Sequence, residues 1–311
     1  MDQLTVGFMG SGRFAARCLE IISRRLRPMW VLTNAPRTAG RGLKLQNTPV
    51  WELAQSLDLP VYTTARLSAD AERLEWLRQN SPDVILVIDF GQMIKEPVLS
   101  MAPLGCLNIH PSKLPEYRGS APIQRALMDG RTKTAVSIFR LDAGMDSGPI
   151  LAQPELVIEP EDDAAALMEK AAVLGSETLL HYLCGVAPAE WRFTPQKEEN
   201  VTTAPKIDKS EGKIDWRAES AEEIINKIRG IGCSPGVYCM VHGKRLRVHA
   251  AEPLPSADCA VCRCEIVDGA PVVVCREGAL KLVEVQPEGK RPQRAEDWAR
   301  GARIENGEEI G

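Results

Sequence analysis

The sequence has 311 residues, of which 44 % are hydrophobic and 26 % charged, and its net charge is −4. This length predicts two domains rather than one core, and the acidic balance excludes a uniformly basic nucleic-acid binder, although local basic patches stay possible. No apolar run approaches the ~20 residues that span a bilayer, and the start MDQLTVGFMG lacks a signal-peptide pattern, so we expect a cytoplasmic protein without a membrane partner.

The first half of the sequence alternates apolar runs typical of strands with segments of helical spacing. The predicted strands are 4–9, 30–33, 83–90, 107–110, 134–141 and 150–158, and the predicted helices are 13–27, 48–59, 68–79 and 162–183. Thr48 followed by Pro49 is typical of a helix start, and 34–47 is predicted to be a loop. Strands that are apolar on both faces favour a mostly parallel sheet covered by helices, and therefore an α/β fold.

The pattern changes after residue 187. Residues 188–207 contain three prolines, several charges and little periodicity, which indicates a linker between domains 1–187 and 208–311. Beyond a helix predicted over 215–230, short strands are predicted at 237–241 and 244–251 around a His242-Gly243 hairpin turn. Further short strands at 272–275 and 279–285 suggest a small β-barrel as the second domain.

Three polar side chains are expected to meet at one edge of the sheet. Asn108 and His110 lie two residues apart at the end of a predicted strand, so their side chains leave the same face. In an open parallel sheet that end borders the ligand crevice. Downstream, DAGMDSG (142–148) places Asp142 and Asp146 in a glycine-rich turn between two strands.

An amide, an imidazole and a carboxylate suit acyl-type transfer to an amine. Attack on a formyl carbon creates an oxyanion, to which Asn108 and a protonated His110 can donate, each well-placed donor contributing roughly 3–4 kcal/mol. Asp146 would hold His110 protonated or organise a water that accepts the proton of the amine. Spacing alone leaves open the alternative that these residues are ordinary polar groups at a strand end and in a turn.

The segments NIHPSKLPEYRGSAPIQRAL (108–127) and LDAGMDSGPIL (141–151) resemble the folate-dependent formyltransferase family, which shows Asn-x-His, Ser-Leu-Leu-Pro, Arg-Gly-x-x-Pro and Asp-x-Gly-x-Asp-x-Gly patterns. The resemblance implies a Rossmann-like domain that uses 10-formyltetrahydrofolate and no metal, with Asn108, His110 and Asp146 as catalytic residues. The folate site that it implies comprises Gln92, Ser112, Lys113, Leu114, Pro115 and Asp142. The sequence departs from the family at several positions, which are Arg13, Asp89-Phe90, Pro111 and Lys113.

Three flanking segments, RTAGRGLKL (37–45), APKIDKSEGKIDW (204–216) and LVEVQPEGKRP (282–292), resemble family members that formylate the methionine carried by initiator tRNA. They imply an OB-like C-terminal barrel that binds tRNA. The tRNA-binding residues expected on this basis are Arg41, Lys44, Lys206, Lys209 and Arg245. The segment 224–251 supports this expectation, because it has no acidic residue and could form a basic stripe along a phosphate backbone; its basic residues are Lys227, Arg229, Lys244, Arg245 and Arg247.

Two other functions stay open at this point. The same chemistry could act on a nucleotide-linked amino sugar, since the reacting block does not discriminate between the two amines. A non-enzymatic nucleic-acid module is the other alternative, although it would leave Asn108, His110 and Asp146 without a purpose. We expect a monomer.

Two further patterns are weaker. Residues 10–15 fit a Gly-x-Gly-x-x-Ala dinucleotide fingerprint, but no carboxylate follows the second predicted strand, so we favour a glycine turn that packs helix on strand. Cys259, Cys262 and Cys264 form a cluster in a chain with nine cysteines. A structural zinc site needs four ligands, and we favour chance clustering of reduced, buried thiols.

Overall fold

In the computed structural model, the described residues are 3–39, 44–255 and 260–311. The chain divides into two units, and each unit draws on several stretches of the sequence. The first comprises Met1–Gly119, Lys133–Ile158 and Ala166–Ala204, and the second comprises Ser120–Thr132, Glu159–Ala165 and Pro205–Gly311. The domain limits expected from the sequence stay a prediction.

The first unit contains short strands connected by helices and loops. Its strands are β1 (Val6–Gly10), β2 (Trp30–Asn34), β3 (Arg37–Ala39), β4 (Lys44–Gln46), β5 (Val61–Thr64), β6 (Val84–Ile88), β7 (Cys106–His110), β8 (Arg118–Gly119), β9 (Lys133–Ala135), β10 (Ser137–Arg140), β11 (Ile150–Ala152), β12 (Glu155–Val157) and β13 (Thr203–Ala204). The α-helices of the chain are α1 (Arg13–Ser23), α2 (Pro49–Ser56), α3 (Ala71–Gln79), α4 (Pro122–Met128), α5 (Ala164–Gly185), α6 (Ala221–Ile231) and α7 (Ala295–Ala302). None of the described helices combines the length and apolar character that crossing a membrane requires.

The main sheet of the first unit has the strand order β11-β10-β7-β6-β1-β2-β5. The pairs from β7 to β5 are parallel, whereas β10 pairs antiparallel with both of its neighbours, β7 and β11. Strands β1, β2 and β6 are buried at every position, as the interior strands of a doubly covered parallel sheet are. From the β1/β6 pair, later strands are added outward in both directions, so the topological switch point lies between β1 and β6. In such a sheet the ligand crevice lies at the carboxyl ends of these strands. The expected Rossmann-like α/β domain is confirmed.

Local structure confirms some predicted elements and corrects others. Thr48 caps α2 as predicted, since its hydroxyl accepts a hydrogen bond from the Trp51 N–H at 3.1 Å. The loop predicted over 34–47 is wrong in part, because β3 and β4 pair antiparallel within it. The predicted helix start at Ser68 is also wrong: Asp70 caps α3 instead, because its carboxylate accepts from the backbone N–H at the third helical position. The strand predicted over 134–141 is divided between β9 and β10.

The second unit contains an antiparallel sheet. Its strands are β14 (Val237–Val241), β15 (Lys244–Leu254), β16 (Arg263–Val267), β17 (Ala270–Val274), β18 (Ala279–Pro287), β19 (Gln293–Arg294) and β20 (Glu308–Glu309). The strand order is β14-β15-β18-β17-β16-β20, and β19 pairs with β18. Backbone hydrogen bonds in both directions between Met240 and Gly311 join the two ends of this order, which closes the sheet into a barrel. The predicted His242-Gly243 hairpin and the barrel-like second domain are confirmed.

Candidate active site

The carboxyl end of β7 holds Asn108 and His110. The His110 side chain is 7 % exposed, and its Nε2 lies 3.0 Å from the backbone carbonyl oxygen of Tyr117. Because a carbonyl oxygen only accepts, Nε2 carries the hydrogen in this arrangement and Nδ1 is the nitrogen left for chemistry. Asn108 is half-buried, and no hydrogen bond of its side-chain amide is found among the described residues. The Asn108 amide and Nδ1 of His110 are therefore the groups available to a ligand at the sheet edge.

Asp146 lies next to this imidazole. Its Oδ2 is 3.8 Å from His110 Nδ1 and accepts a hydrogen bond from the Gly119 N–H at 2.8 Å. Asp146 has a φ of 53°, a left-handed conformation that is uncommon outside glycine, asparagine and aspartate. The gap of 3.8 Å is longer than a direct hydrogen bond, so the two groups form an ion pair when the imidazole is protonated. The structure thus brings His110 and Asp146 within ion-pair distance of each other. Asn108, the third predicted catalytic residue, lies on the same strand as His110.

The loop after β7 is held by its own hydrogen bonds. Ser112 is fully buried and its hydroxyl donates to the Glu116 carbonyl at 2.7 Å. The backbone N–H of Leu114, also buried, donates to the Ser137 hydroxyl at 3.1 Å, and a cis peptide links Leu114 to Pro115. Lys113 is the exposed residue between these anchors. This part of the predicted folate site therefore has a fixed backbone from which Lys113 projects.

Asp142 and Gln92 have different surroundings. Asp142 lines a cavity of about 810 Å³ between segment 95–105 and segment 140–143, whose lining also includes Lys95, Leu99 and Arg140. Gln92 is engaged within the protein, where its amide oxygen accepts from the Leu67 N–H at 2.8 Å and its nitrogen donates to Asn34 at 2.5 Å. Among the predicted folate residues, the cavity is lined by Asp142 alone.

Asp89 was not predicted to act at this edge. Its carboxylate accepts a hydrogen bond from the backbone N–H of Ala15, and it lies so close to Gly12 that a Cβ there would approach Oδ2 to 1.7 Å. Helix α1 has no cap from its own side chains and no acidic residue in its first turn. Asp89 therefore takes the anion position at the start of α1, where a dinucleotide phosphate would bind, which supports the glycine-turn interpretation of residues 10–15.

The electrostatic state of Asp89 follows from this position. The residue as a whole is exposed, but its carboxyl group is packed against Gly12. Desolvation of the carboxyl group raises the pKa of Asp89 to about 6, and the hydrogen bond from Ala15 opposes this increase. The only signal of this role in the sequence is that Asp89-Phe90 departs from the pattern of the family.

The predicted tRNA-binding residues differ in what surrounds them. Lys206, Lys209 and Arg245 are exposed in the second unit, and Arg245 stacks on the Tyr238 ring at 3.8 Å from its centroid. Arg41 lies outside the described residues, as does the side chain of Lys44.

Part of the basic stripe expected over 224–251 is internal. Lys227 forms an ion pair with Glu219 and is 11 % exposed, and Arg229 donates to the backbone carbonyls of Glu159 and Asp162. Arg247 donates to the carbonyls of residues 232 and 233. These three cations hold the second unit together, so the exposed part of the stripe is smaller than the sequence suggests.

Four cysteines of the second unit lie in the barrel core. Cys239, Cys262, Cys264 and Cys275 are free and buried, and desolvation raises the pKa of Cys239 and Cys275 to about 12. Within 3–39, 44–255 and 260–311, no group of three or more His, Cys, Asp or Glu side chains is arranged to hold a metal ion. Cys259 lies outside the described residues.

The fold and the site together define a class of protein: an open α/β sheet with an amide, an imidazole and a carboxylate at its carboxyl edge, joined in one chain to an antiparallel barrel. Comparison with known proteins makes this specific. The formyl transferase family model matches residues 8–183, and the model of the formyl transferase C-terminal domain matches residues 206–303. The chain belongs to the formyl transferase family.

Similar proteins agree with this assignment, and solved structures share the fold. A methionyl-tRNA formyltransferase of Paracoccus denitrificans is 38 % identical over 96 % of this chain and 97 % of its own, and one of Thermus thermophilus is 37 % identical over 99 % of both. The fold is similar to an N-formyltransferase from Helicobacter canadensis in complex with folinic acid and dTDP-3-aminofucose, with a TM-score of 0.66, 16 % identity and coverage of 90 % of this chain and 99 % of that one. HypX from Aquifex aeolicus in complex with tetrahydrofolic acid has a TM-score of 0.63 and 17 % identity, over 96 % of this chain and 47 % of that one.

Proposed function

We propose that this protein transfers the formyl group of 10-formyltetrahydrofolate to the α-amine of methionine on initiator tRNA, for translation initiation in the cytoplasm. The observation that carries the proposal is the identity of 37–38 % with methionyl-tRNA formyltransferases over nearly the whole of both chains. Both family models match, so the catalytic and the C-terminal parts are accounted for together.

Asn108 and His110 stabilise the charge that forms in the reaction. The amine nitrogen attacks the formyl carbon and an oxyanion develops on the formyl oxygen. The Asn108 amide, which has no hydrogen bond within the described protein, donates to this oxygen, and so does protonated Nδ1 of His110. Such a donor contributes roughly 3–4 kcal/mol to transition-state stabilisation. The bond from the formyl carbon to the folate nitrogen then breaks, and that nitrogen takes up a proton.

Asp146 supports the protonated imidazole. Its carboxylate faces Nδ1 at 3.8 Å, while the carbonyl of Tyr117 holds Nε2 on the other side of the ring. The imidazolium is therefore stabilised by an ion pair on one side and a hydrogen bond on the other. Because both ring nitrogens of the imidazolium carry a proton, the attacking amine loses its proton to the Asp146 carboxylate, either directly or through a water molecule.

The formyl donor is a substrate, and the chain offers groups that suit it. A reduced folate has a flat ring with hydrogen-bond donors and acceptors, and an acidic tail. The cavity beside the turn combines the carboxylates of Glu96 and Asp142, the cations Lys95 and Arg140 and an apolar wall that includes Leu99. We place the folate there. The predicted folate residues Ser112, Lys113, Leu114 and Pro115 belong to the loop after β7, outside this lining, and Gln92 keeps segment 65–67 in position.

The second domain, which we place at 208–311 after a linker over 188–207, binds the tRNA in this proposal. Lys206, Lys209 and Arg245 are exposed cations without an ion pair among the described residues, which suits contacts to phosphates. Arg41 and Lys44 of the first domain are the further tRNA-binding residues of this proposal. A monomer is sufficient for this arrangement.

A formylation assay tests the proposal. Purified protein is incubated with 10-formyltetrahydrofolate and methionyl initiator tRNA, and in parallel with methionyl elongator tRNA and a nucleotide-linked amino sugar. We expect formylation of the initiator tRNA at the highest kcat/KM, together with tRNA binding that weakens as salt rises. Formylation of the sugar with no salt-dependent binding of tRNA would establish the alternative substrate, and tRNA binding without transfer would favour a binding module.

A further inference from the structure

Residues 191–204 form a segment whose regular structure is limited to a 3-10 helix at Glu198–Asn200 and the short strand β13. This segment contacts both loops that carry the candidate active site, and we call it the crossing segment. Thr194 forms a bridge to Ile150, directly after the turn at 142–148. Farther along, the Thr202 hydroxyl accepts a hydrogen bond from the Tyr117 N–H at 2.8 Å, and β13 pairs in parallel with β8. The crossing segment therefore contacts the loop after β7 (the histidine loop) at one end and the turn at 142–148 (the aspartate turn) at the other.

Gln196 is the side chain that joins the crossing segment to the aspartate turn. Its Nε2 donates to two backbone carbonyl oxygens of the turn, those of Asp146 and Gly148, at 2.8 Å each. Its Oε1 accepts from the guanidinium of Arg118, at 3.1 Å from Nε and 2.8 Å from Nη2. Arg118 is 10 % exposed and is itself paired with Glu198 at 2.8 Å. The amide oxygen of Gln196 thus faces only donors and its NH₂ group faces only acceptors. These contacts fix the orientation of the amide.

The turn needs such a contact because little else holds it. Residues 142–145 are exposed, and the Asp142 carboxylate makes its hydrogen bonds inside the turn, to the Gly144 N–H and the Ser147 hydroxyl. Asp146 has a positive φ, which is maintained only where the surroundings fix the backbone. Hydrogen bonds at residues 146 and 148 fix the backbone on both sides of Ser147, and this sets the direction in which the Asp146 carboxylate leaves the chain.

We propose that Gln196 is a positioning residue for formyl transfer: by holding the carbonyls of residues 146 and 148, it places the Asp146 carboxylate against His110. Arg118 acts one step behind, since it keeps the amide of Gln196 from turning over. This inference rests on the proposed function. It assigns a role in the reaction to a residue from the stretch that the sequence indicated to be only a linker.

The test uses variants Gln196→Ala and Gln196→Glu, with Lys197→Ala as the matched control, because Lys197 is the adjacent exposed residue. Glutamate has the size of glutamine but brings a second acceptor against two carbonyl oxygens, so we expect both Gln196 variants to be impaired. The expected effect is a fall in kcat of about 10- to 100-fold, the range associated with misplacement of a catalytic group by about 1 Å, with KM values changed less than about threefold. Lys197→Ala keeps the kcat and KM of the unmodified protein.

A double-variant cycle separates positioning from general loss of structure. If Gln196 acts through Asp146, then Gln196→Ala adds little to the defect of Asp146→Asn, whereas unrelated defects multiply. Full multiplication of the two effects, or a Gln196→Glu variant with unchanged kcat, would overturn the inference.

A second measurement does not depend on activity. Amide hydrogen exchange of the full-length protein should show faster exchange in residues 142–148 and at the Gly119 N–H of Gln196→Ala, and unchanged exchange in Lys197→Ala. Equal protection in both variants would overturn the role of Gln196 even if the protein formylates tRNA. Absence of formylation by the unmodified protein, with the exchange effect present, would instead refute the proposed function and leave the contact intact.

Discussion

Replacement of Asp146 by asparagine is the change that most directly tests the site. Asparagine keeps the size of the side chain and an oxygen that can accept from the Gly119 N–H, but it removes the charge that faces His110 Nδ1 at 3.8 Å. At an effective dielectric constant near 20, two unit charges at this distance attract by about 4 kcal/mol. Both side chains are largely shielded from solvent, 7 % and 16 % exposed, so screening removes only part of this attraction.

The attraction translates into a rate. Since about 1.4 kcal/mol corresponds to tenfold in rate, complete loss would lower kcat about 1000-fold, and we expect a fall of about 100- to 1000-fold. The assay is formylation of methionyl initiator tRNA at saturating folate and tRNA, with Glu199→Gln as a control that removes an exposed carboxylate from the same unit. A kcat within fivefold of the unmodified protein, in a variant of unchanged thermal stability, would refute the assigned role of Asp146.

Three further outcomes are expected. Gly119→Ala should lower the free energy of unfolding by about 3 kcal/mol, because φ at Gly119 is +126° and a Cβ there would approach the Ala204 carbonyl oxygen to 2.6 Å. Gly243 has a φ of +73° and no atom within 4 Å of a Cβ, so Gly243→Ala should lower the free energy of unfolding by only about 1 kcal/mol. Equal losses in urea titrations would show that the close contact is absent. Desolvation raises the pKa of Asp89 from its ordinary value of 3.8 to about 6, so the contribution of the protonated form to stability is fully present below pH 3.8 and is lost as pH rises through about 6. Asp89→Asn should therefore have a higher melting temperature than the unmodified protein at pH 8 but not at pH 4, and a difference independent of pH would contradict this. Combined replacement of Lys209 and Arg245 by alanine should reduce the salt dependence of tRNA binding by roughly two units of slope, and an unchanged slope would remove both residues from the tRNA contact.

Several features could be predicted from the sequence because neighbouring residues decide them. Thr48 and Pro49 together mark a helix start, since one supplies the capping oxygen and the other a suitable φ. The hairpin at residues 242 and 243 needs two positive φ angles, which His-Gly can provide. Side-chain alternation along a strand places Asn108 and His110 on one face, and the order of helices and strands indicates which edge they reach.

What could not be predicted depends on partners that are far apart in the sequence. Arg118 and Gln196 are separated by 78 residues, and their contact is between polar groups, which leave no hydrophobic period. For the same reason the crossing segment resembled a linker, because it is held by side chains that bind distant backbone rather than by an apolar face. Asp89 could not be recognised as the anion at the start of α1, since the sequence does not show that its side chain turns back toward Ala15.

The buried thiols provide each unit with its own reporter of opening. Alkylating reagents react with thiolates, so a reagent added to the folded protein modifies the exposed Cys184 and Cys233 first. Cys18 and Cys106 become accessible when the first unit opens, and the four thiols of the barrel core when the second does. Mass spectra of adducts collected over time would therefore give two opening rates from one unlabelled sample, and would reveal whether the two units melt together or in succession.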